Sequence, residues 1–549
     1  MARPADRKVH YYIPKLVEQL EARRIDRRDF LRTATLLGLS STAAYGIAGR
    51  ILGENLIDPA LAQSGTPKQG GTLRVAMEVQ KMDDPATYSW TQMSNQTRHI
   101  AEYLAITGPD NVTRPMLAES WEASDDLKTW TFHLRQGVLW HNGEEFVADH
   151  VVWNIERWLD PNLGSSNSGL STFASLDSVE AVDQHTVRLN LKKPVLSAPE
   201  DCYNYPTAIL HPSFKAPFSD NPIGTGPFTL GEPLAVGDRC ILKRVTQTTD
   251  GKEFKYWGGD VYLDEIHYYN FEADNQLTAF ASGEVDSIYA FGIEQYEFAE
   301  ALEGEIVPAR TAQTVCCRFH VQEEPFNNKT LRQAIIKATD NTVYRDFVFQ
   351  GRGDVGENHH VAPVHPEYFQ LPPLQRDVEA AKALLEEAGY PDGIDLTIEV
   401  GNTDGPWHQT LAELWRDQLS EAGIRLNINV IPASKYWEIW TATPLGCTAW
   451  THRPLGTMAL SLAYRTGVPW NESGYSNPEF EAALDDAEAT LDVDERTAKM
   501  EKVEKILQDD AVMVQPVWRP VFTIITNQVK DYPAHPTQYH QFNKVWLDT

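Results

Sequence analysis

The chain has 549 residues, of which 42% are hydrophobic and 23% charged, values typical of a soluble globular protein. This composition excludes collagen-like, disordered and disulfide-scaffold classes, and the length predicts about three to five domains or subdomains. The 77 Asp and Glu residues outnumber the 48 Lys and Arg residues and give a formal net charge of -29. Such a charge repels a phosphate backbone, so we expect no nucleic-acid partner.

The N-terminal segment has the charge pattern of an export signal. Residues 23–32 are rich in arginine, and residues 33–49 carry no charge but contain too many small polar residues for a permanent membrane anchor. Residues 27–32 read RRDFLR and resemble the twin-arginine export motif. We therefore predict that residues 1–62 form a signal peptide, cleaved after Ala62, and that the mature protein is periplasmic. The alternative is a basic amphipathic helix on a cytosolic protein.

The cysteine pattern leaves the disulfide state open. An odd number of cysteines in an oxidising compartment leaves at least one unpaired, although a bond between Cys202 and Cys240 is one option. Cys316 and Cys317 are adjacent, so on a strand their side chains point to opposite faces. The fifth is Cys447.

Alternation of apolar and polar residues predicts several strands. Residues 70–78 predict a first strand, and residues 130–134 and 186–191 predict half-buried antiparallel strands. Two helical stretches, at about 478–491 and 494–510, precede a strand at 522–526.

The second half of the chain predicts a βαβ unit. Asp377 is a suitable N-cap for a helix that ends at Gly389. A strand at 396–400, a helix at 409–422 and a strand at 426–430 follow. Strand, helix and strand in that order predict a parallel pair with a right-handed crossover, so the fold class is α/β.

The sequence contains no nucleophile elbow, phosphate loop, zinc-protease helix or dinucleotide fingerprint in a suitable context. An enzyme therefore has no positive support, and no cofactor is expected. His359, His360 and His365 are the best candidates for a transition-metal site, but packing of a proline-containing loop explains them better, so we assign no metal ligand.

Five segments in order along the chain carry a resemblance to a known family. They closely resemble motifs of the family 5 extracellular solute-binding proteins, which are the dipeptide, oligopeptide, nickel and opine receptors of ABC importers. The segments are residues 117–150 (LAESWEASDDLKTWTFHLRQGVLWHNGEEFVADH), 221–228 (NPIGTGPF), 256–266 (YWGGDVYLDEI), 281–288 (ASGEVDSI) and 326–339 (FNNKTLRQAIIKAT).

The resemblance implies a two-lobed periplasmic binding protein of type II, cluster C, with an extra α+β subdomain inserted in lobe one. A ligand would be enclosed between the lobes, and two chain crossings near 311–315 and 516–519 would act as the hinge. The predicted ranges are 63–81, 222–309 and 517–549 for lobe one, 82–221 for the inserted subdomain and 310–516 for lobe two.

The chain departs from the peptide-binding pattern at one informative position. Peptide receptors of this family usually carry an Asp in a lobe-two segment, where it pairs with the α-amino group of the ligand. Here that segment is residues 449–457 (AWTHRPLGT), which has no acid and carries Arg453 instead. A guanidinium suits carboxylate or phosphate oxygens, so the ligand is expected to present an anionic or hydroxyl-rich group there. The alternative is that Arg453 pairs with an internal Asp or Glu.

The other candidate ligand-binding residues rest on their position in the family pattern. They flank Arg453, follow lobe-two strands, or lie in the lobe-one loop and near the start of the chain: Trp450, His452, Trp470, Asn471, Tyr436, Trp437, Thr225, Gly226 and Asp83. For each of them, packing in the core is the competing interpretation.

The resemblance implies an exported receptor that captures a small organic solute and delivers it to the permease and ATPase subunits of an ABC importer, without chemistry. We expect a monomer that meets the membrane only through the permease. The solute could be peptide-like, opine-like, another anionic molecule or a metal chelate. Two alternatives remain: an exported hydrolase or redox enzyme using the twin-arginine route, and a ligand-sensing or chaperone-like module without a transporter.

Overall fold

The structure is a computed structural model that describes residues 9–54, 56 and 65–549. Within these residues, no helix combines the length and the apolar character needed to cross a membrane. The predicted cleavage position after Ala62 lies outside the described residues.

The helices are distributed along the whole described chain. They are α1 (Ile13–Glu21), α2 (Arg27–Leu36), α3 (Ser41–Leu52), α4 (Thr91–Thr97), α5 (Ala148–Trp158), α6 (Ser171–Ala174), α7 (Ala198–Asp201), α8 (Ala273–Ala281), α9 (Tyr296–Glu300), α10 (Lys329–Lys337), α11 (Thr342–Phe347), α12 (Val378–Glu387), α13 (Trp407–Ser420), α14 (Ala433–Ile439), α15 (Gly456–Tyr464), α16 (Pro478–Glu488) and α17 (Val493–Asp509).

The strands alternate with these helices. They are β1 (Thr72–Ala76), β2 (Ala105–Thr107), β3 (Thr113–Pro115), β4 (Ala118–Ala123), β5 (Thr129–Leu134), β6 (Leu176–Asp183), β7 (Thr186–Leu191), β8 (Phe228–Leu230), β9 (Arg239–Arg244), β10 (Glu265–Tyr269), β11 (Ser287–Ile288), β12 (Glu305–Phe319), β13 (Asp354–Val355), β14 (Ile394–Val400), β15 (Ile424–Val430), β16 (Leu445–Trp450), β17 (Met513–Val514), β18 (Val517–Ile525), β19 (Val529–Lys530) and β20 (Trp546–Leu547).

One large mixed sheet runs through the body of the molecule, in the order β15-β14-β16-β12-β18-β11-β1-β10-β9-β8. The half from β18 to β8 contains the first strand of the body, and the half from β15 to β12 contains the βαβ unit. Parallel pairing of β14 with β15 confirms the predicted parallel pair, and the α/β fold class is confirmed with it.

Two long strands connect the halves of this sheet. The first part of β12 pairs antiparallel with β18, and its last residues pair with β16 instead. The register with β18 shifts between Ala309 and Gln313. Because a register shift bends a strand, the two crossings change direction where the halves of the sheet meet.

A separate antiparallel sheet, β4-β5-β7-β6, lies within the predicted inserted subdomain. The pairing of β5 with β7 matches the predicted antiparallel strands, and the alternate residues Trp130, Phe132, Val187 and Leu189 are buried. The predicted ranges of the lobes and of the inserted subdomain remain predictions.

The predicted N-cap at Asp377 is also present. Its Oδ1 accepts a hydrogen bond from the backbone N–H of Ala380, and Gly389 has a φ of +95° two residues after the last residue of α12. This satisfies one of the free N–H groups at the start of the helix and lets the chain turn toward β14.

The helices α1 to α3 pack on the body. The indole Nε1 of Trp121, on β4, donates to the carbonyl oxygens of Thr35 and Leu36 at 3.2 and 3.0 Å. On the other side, the hydroxyl of Tyr12 donates to Asp492, which caps α17. These helices therefore contact both the inserted subdomain and lobe two.

The five cysteines, each of which the structure describes, are buried and free. The optional bond between Cys202 and Cys240 is not formed. Cys316 and Cys317 lie on β12 as predicted, and Cys317 faces Cys447 across the pair of strands β12 and β16.

Candidate functional site

Aromatic side chains from both sides meet between the lobes. Ser89, Trp90 and Tyr205 come from the inserted subdomain, and lobe two contributes a larger set. The lobe-two residues are Trp437, Trp440, Thr448, Ala449, Trp450, Thr451, Arg453 and Trp470. The free space enclosed by these residues, which we call the cleft, is about 20 Å³. That is room for about one water molecule, so a solute can enter only when the lobes separate.

Rings from opposite sides contact each other across the cleft. Trp90 lies 5.7 Å from Trp437 between ring centroids, and Tyr205 stacks on Trp470 at 5.8 Å. Aromatic pairs at these distances attract each other beyond the area that they bury. The cleft therefore has two apolar contacts that hold the lobes together.

Arg453 is the charged residue among those that line the cleft. Its side chain is buried, with 3% of the residue exposed, and its guanidinium carbon lies 5.1 Å from the ring centroid of Tyr205 and 5.8 Å from that of Trp470. Nη1 donates to the backbone and hydroxyl oxygens of Thr451, while Nε has no hydrogen-bond partner.

No carboxylate among the described residues forms an ion pair with Arg453. The ion pairs in the described part of lobe two join other arginines to acids, such as Arg318 to Glu472. The described chain therefore does not support the alternative interpretation, in which Arg453 pairs with an internal Asp or Glu. The guanidinium is a buried cation whose Nε has no hydrogen-bond partner, and its carbon lies beside the Tyr205 ring of the cleft.

Glu472 holds the indole of Trp450 in place. Trp450 Nε1 donates to Glu472 Oε1 at 2.7 Å, and Thr448 Oγ1 donates to Oε2 at 2.6 Å. Arg318 Nε donates to the same Oε2 at 2.9 Å, and the Arg318 side chain is 1% exposed. This buried ion pair is fully bonded, so it fixes the wall of the cleft without offering charge to a ligand.

A histidine fixes the backbone next to Arg453. Burial lowers the pKa of His365 to about 3, so its ring is neutral near pH 7. Nδ1 accepts from the Ala362 N–H, which leaves Nε2 to donate to the carbonyl oxygen of Arg453 at 3.0 Å. The ring thereby sets the position of the loop that carries the guanidinium.

Four predicted residues line the cleft together: Arg453, Trp450, Trp470 and Trp437. Three others lie behind this wall. Tyr436 is buried and its hydroxyl shares a hydrogen bond with Thr448, and Asn471 bonds to backbone oxygens of its own loop. His452 joins Ala312 to the inserted subdomain, because Nδ1 accepts from Ala312 N–H and Nε2 donates to Asn111.

The remaining predicted residues lie elsewhere. The hydroxyl of Thr225 donates to Glu102, and the backbone of Gly226 packs so closely on His99 that a Cβ would lie 2.3 Å from its carbonyl oxygen. Asp83 is partly exposed and pairs with Lys81 at 3.2 Å. None of the three belongs to the residues that line the cleft. Their role in ligand binding stays a prediction that the geometry does not support.

An ion pair between a buried arginine and an aspartate lies where β18 passes between the lobes. Arg519 pairs with Asp404 and donates from Nη2 to Gln313 Oε1 at 3.0 Å. The pKa of Asp404 is raised by burial, although Arg519 lowers it in part. This pair ties a lobe-two loop to both crossing strands, so it restrains the hinge.

The three histidines considered as metal ligands take part in packing. His360 bonds to the Tyr464 hydroxyl at 2.9 Å, and His359 accepts from Val361 N–H. Among residues 9–54, 56 and 65–549, no group of three or more His, Cys, Asp or Glu side chains is arranged to hold a metal ion.

Trp90, Tyr205, Trp440 and Glu472 were not predicted. Trp90 and Tyr205 reach the cleft only through the tertiary packing of the inserted subdomain, and no local motif marks them. Glu472 follows the predicted pair Trp470 and Asn471 directly, so an acid next to two predicted cleft residues was the available signal.

Comparison with known proteins identifies the family. A family model described as bacterial extracellular solute-binding proteins, family 5, matches residues 112–472, more than half of the chain. Heme-binding protein A of Haemophilus influenzae is 26% identical over 476 residues, which are 79% of this chain and 84% of that protein. The periplasmic oligopeptide-binding protein OppA of Salmonella typhimurium is 25% identical over 491 residues, or 80% and 84%.

Solved structures share the fold. The periplasmic binding protein DppA from Helicobacter pylori, in complex with the peptide STSA, has a TM-score of 0.78 and 24% identity, with 88% of this chain and 99% of that chain covered. AgaA from A. tumefacien R10, in complex with agropinic acid, has a TM-score of 0.78 and 23% identity, with 87% and 99% covered. The architecture is that of the two-lobed periplasmic binding proteins, and the chain belongs to the family 5 bacterial extracellular solute-binding proteins.

Proposed function

We propose that this protein is a periplasmic receptor that binds a small organic anion in the cleft and delivers it to the permease and ATPase of an ABC importer. The observation that carries the proposal is Arg453, a buried guanidinium that lines the cleft and has no carboxylate partner among the described residues. In this proposal the chain performs no chemistry on its solute.

The energetics of burial support an anionic ligand. A buried charge without a counter-charge costs several kcal/mol, and an incoming carboxylate or phosphate removes this cost by pairing with it. The Nε of Arg453 has no partner, and a guanidinium can bind two oxygens of one carboxylate side by side. The rings of Tyr205 and Trp470 lie beside the guanidinium carbon at 5.1 and 5.8 Å, so an anion bound to Arg453 would also contact aromatic surface.

Closure of the lobes supports a receptor mechanism. With about 20 Å³ of free space, the cleft must open to admit a solute and then close over it. The strands β12 and β18 connect the lobes at a register shift and provide the hinge. Contacts of Trp90 with Trp437 and of Tyr205 with Trp470 form only when the lobes meet, so a transporter could distinguish the closed form.

The relatives bind different solutes, so the family alone does not select one. They include a heme-binding protein, an oligopeptide-binding protein and a protein in complex with agropinic acid. The segment in which peptide receptors of the family usually carry an Asp has no acid here and contains Arg453, which favours a solute whose anionic end, rather than its amino end, is bound by lobe two.

Export by the twin-arginine route is part of the proposal. Arg27 and Arg28 are exposed at the start of α2, whereas Phe30 and Leu31 of the same motif are buried against the body. The two arginines are therefore accessible to an export receptor while the body is folded.

A ligand screen tests the proposal. The full chain is heated with carboxylates, opines, sugar phosphates and blocked peptides, and each acid is compared with its amide. Binding to the folded state must raise the midpoint of unfolding, by about 2.7 kcal/mol at 100 times the dissociation constant. We expect shifts with acids only.

Two variants locate the binding. Arg453→Gln should abolish the shift, and Arg425→Gln, an exposed lobe-two arginine paired with Asp395, should keep it. Equal shifts with acids and amides, or loss of binding in both variants, would reject Arg453 as the anion-binding residue.

A further inference from the structure

A second, larger cavity lies outside the cleft. Its volume is about 850 Å³, which is within the range of about 300–1,000 Å³ found for small-molecule sites. We call it the lobe-one cavity, because segments of the inserted subdomain and of lobe one form its walls. The segments are residues 98–116, Tyr203, residues 256–258 and residues 531–544, and none of the lining residues also lines the cleft.

Arg98 gives this cavity a buried positive charge. The residue is 6% exposed, and its guanidinium carbon lies 3.9 Å from the ring centroid of Tyr539. Its three nitrogens donate to Asn95 Oδ1, the Tyr203 hydroxyl and Ser94 Oγ, which are all neutral acceptors. A guanidinium has five N–H donors, so donors remain for an anion, and no described carboxylate pairs with Arg98.

Lys544 adds a second cation on the rim. Its ammonium group donates to the carbonyl oxygens of Asp260 at 2.9 Å and Gly258 at 3.5 Å, and it forms no ion pair with a carboxylate of the described chain. Arg114, by contrast, pairs with Asp110 at 2.7 Å. Arg98 and Lys544 are therefore the cations of the lining that lack a carboxylate partner.

The histidines of the lining do not add to this charge near neutral pH. Burial lowers the pKa of His99 to about 3 and that of His540 well below 6.5, with the Arg98 charge acting in the same direction on both. The two rings are therefore neutral, and both stack on Phe542, His99 at 5.5 Å and His540 at 4.6 Å between ring centroids.

Flat apolar surface makes up much of the remaining wall. Tyr256, Trp257 and Tyr532 line the cavity together with Pro109 and Met116. The hydroxyl of Tyr256 and the indole Nε1 of Trp257 are both bonded to Glu102, which fixes the rings. Fixed rings beside unpaired cations favour a molecule with a planar body and one anionic group.

We propose that the lobe-one cavity is a second ligand site, separate from the cleft, that binds a small aromatic carboxylate. The carboxylate lies between Arg98 and Lys544, and the ring lies against Tyr256 and Trp257. Binding at this site leaves the lobes free to open and close, because residues of lobe two are absent from the lining.

The test uses indole-3-acetate and its uncharged analogue indole-3-acetamide as probes, titrated calorimetrically into the full chain. We expect saturable binding of the acid and at least about tenfold weaker binding of the amide, since only the acid pairs with the cations. Arg98→Gln should abolish binding, Lys544→Gln should weaken it severalfold, and Arg453→Gln should leave it unchanged.

Lys544 is exposed, so Lys544→Gln should fold and still tests the proposal if Arg98→Gln fails to fold. Absence of saturable binding, or equal binding of acid and amide, would overturn the proposal. So would loss of binding in Arg453→Gln with retention in Lys544→Gln, because the probe would then bind in the cleft.

Discussion

The cleft and the lobe-one cavity share one chemical feature but differ in their free volume. In each, a buried arginine without a carboxylate partner in the described chain lies over tyrosine rings, Arg453 over Tyr205 and Arg98 over Tyr539. The cleft encloses about 20 Å³ and the cavity about 850 Å³. Binding in the cleft must therefore be coupled to lobe movement, whereas binding in the cavity need not be. In both proposals an unpaired buried cation marks the ligand site, and the surrounding elements determine whether binding changes the shape of the molecule.

The largest expected effect is on the free energy of unfolding, which should fall more when a buried arginine loses its carboxylate partner than when an unpaired buried arginine is replaced. Glu472→Gln leaves Arg318 without its counter-charge and should lower the free energy of unfolding by about 3–5 kcal/mol. Arg453→Gln removes a charge that has no partner, so it should lower that free energy by less than about 1 kcal/mol or raise it. Urea unfolding of both variants measures the contrast. A larger loss for Arg453→Gln would mean that an internal partner neutralises this side chain.

A smaller effect tests the wall of the cleft. Trp450→Phe keeps most of the aromatic surface but removes the Nε1 donor and leaves Glu472 Oε1 unpaired, which should lower the free energy of unfolding by about 1.5–3 kcal/mol. Urea unfolding measures this loss, and the same variant should bind indole-3-acetate normally. Weaker binding of indole-3-acetate would show that the cleft wall and the lobe-one cavity are not independent.

The buried histidines beside the lobe-one cavity predict a pH effect on stability. Burial lowers the pKa of His99 from 6.5 to about 3. Between pH values of about 3 and 6.5, the unfolded chain binds a proton at His99 that the folded chain does not. The stabilisation from the neutral ring is therefore complete above about pH 6.5 and is lost as the pH falls. His99→Phe should reduce the loss of unfolding free energy between about pH 7 and pH 5 by about 2 kcal/mol. Urea unfolding at both pH values measures it, and an unchanged difference would contradict a neutral buried ring.

The smallest expected effect concerns Asp83. This carboxylate is partly exposed and pairs only with the exposed Lys81 in the described chain, so Asp83→Asn should change both solute affinity and stability by less than about 0.5 kcal/mol. A loss of affinity of about tenfold would place Asp83 in the cleft, as its position in the chain predicted.

Local pattern predicted the elements and part of the site. The apolar spacing after Asp377 and the alternation in β14 and β15 need only local physics, and both elements formed where they were predicted. Arg453 was found because it replaces an expected acid. Neighbouring residues of α14 point about 100° apart, so only one of Trp437 and Tyr436 can face the cleft directly. The sequence alone could not show which one does. Only Trp437 faces the cleft, while Tyr436 bonds to Thr448.

Long-range packing explains what the sequence could not predict. Tyr205 and Trp90 approach lobe two only after the inserted subdomain has folded on the body, and the lobe-one cavity joins segments more than 400 residues apart. No spacing rule connects Arg98 with Tyr539, although their contact defines the buried charge.

The most direct test is a double-mutant cycle on the cleft. The affinities of the wild type and of Arg453→Gln are measured by calorimetry for the best acidic solute of the screen and for its amide. The proposed pairing predicts that the acid loses about 1.5–3 kcal/mol more than the amide on substitution, as expected for a hydrogen bond to a charged group. Equal losses for acid and amide would contradict the claim that Arg453 binds the anionic group of the solute.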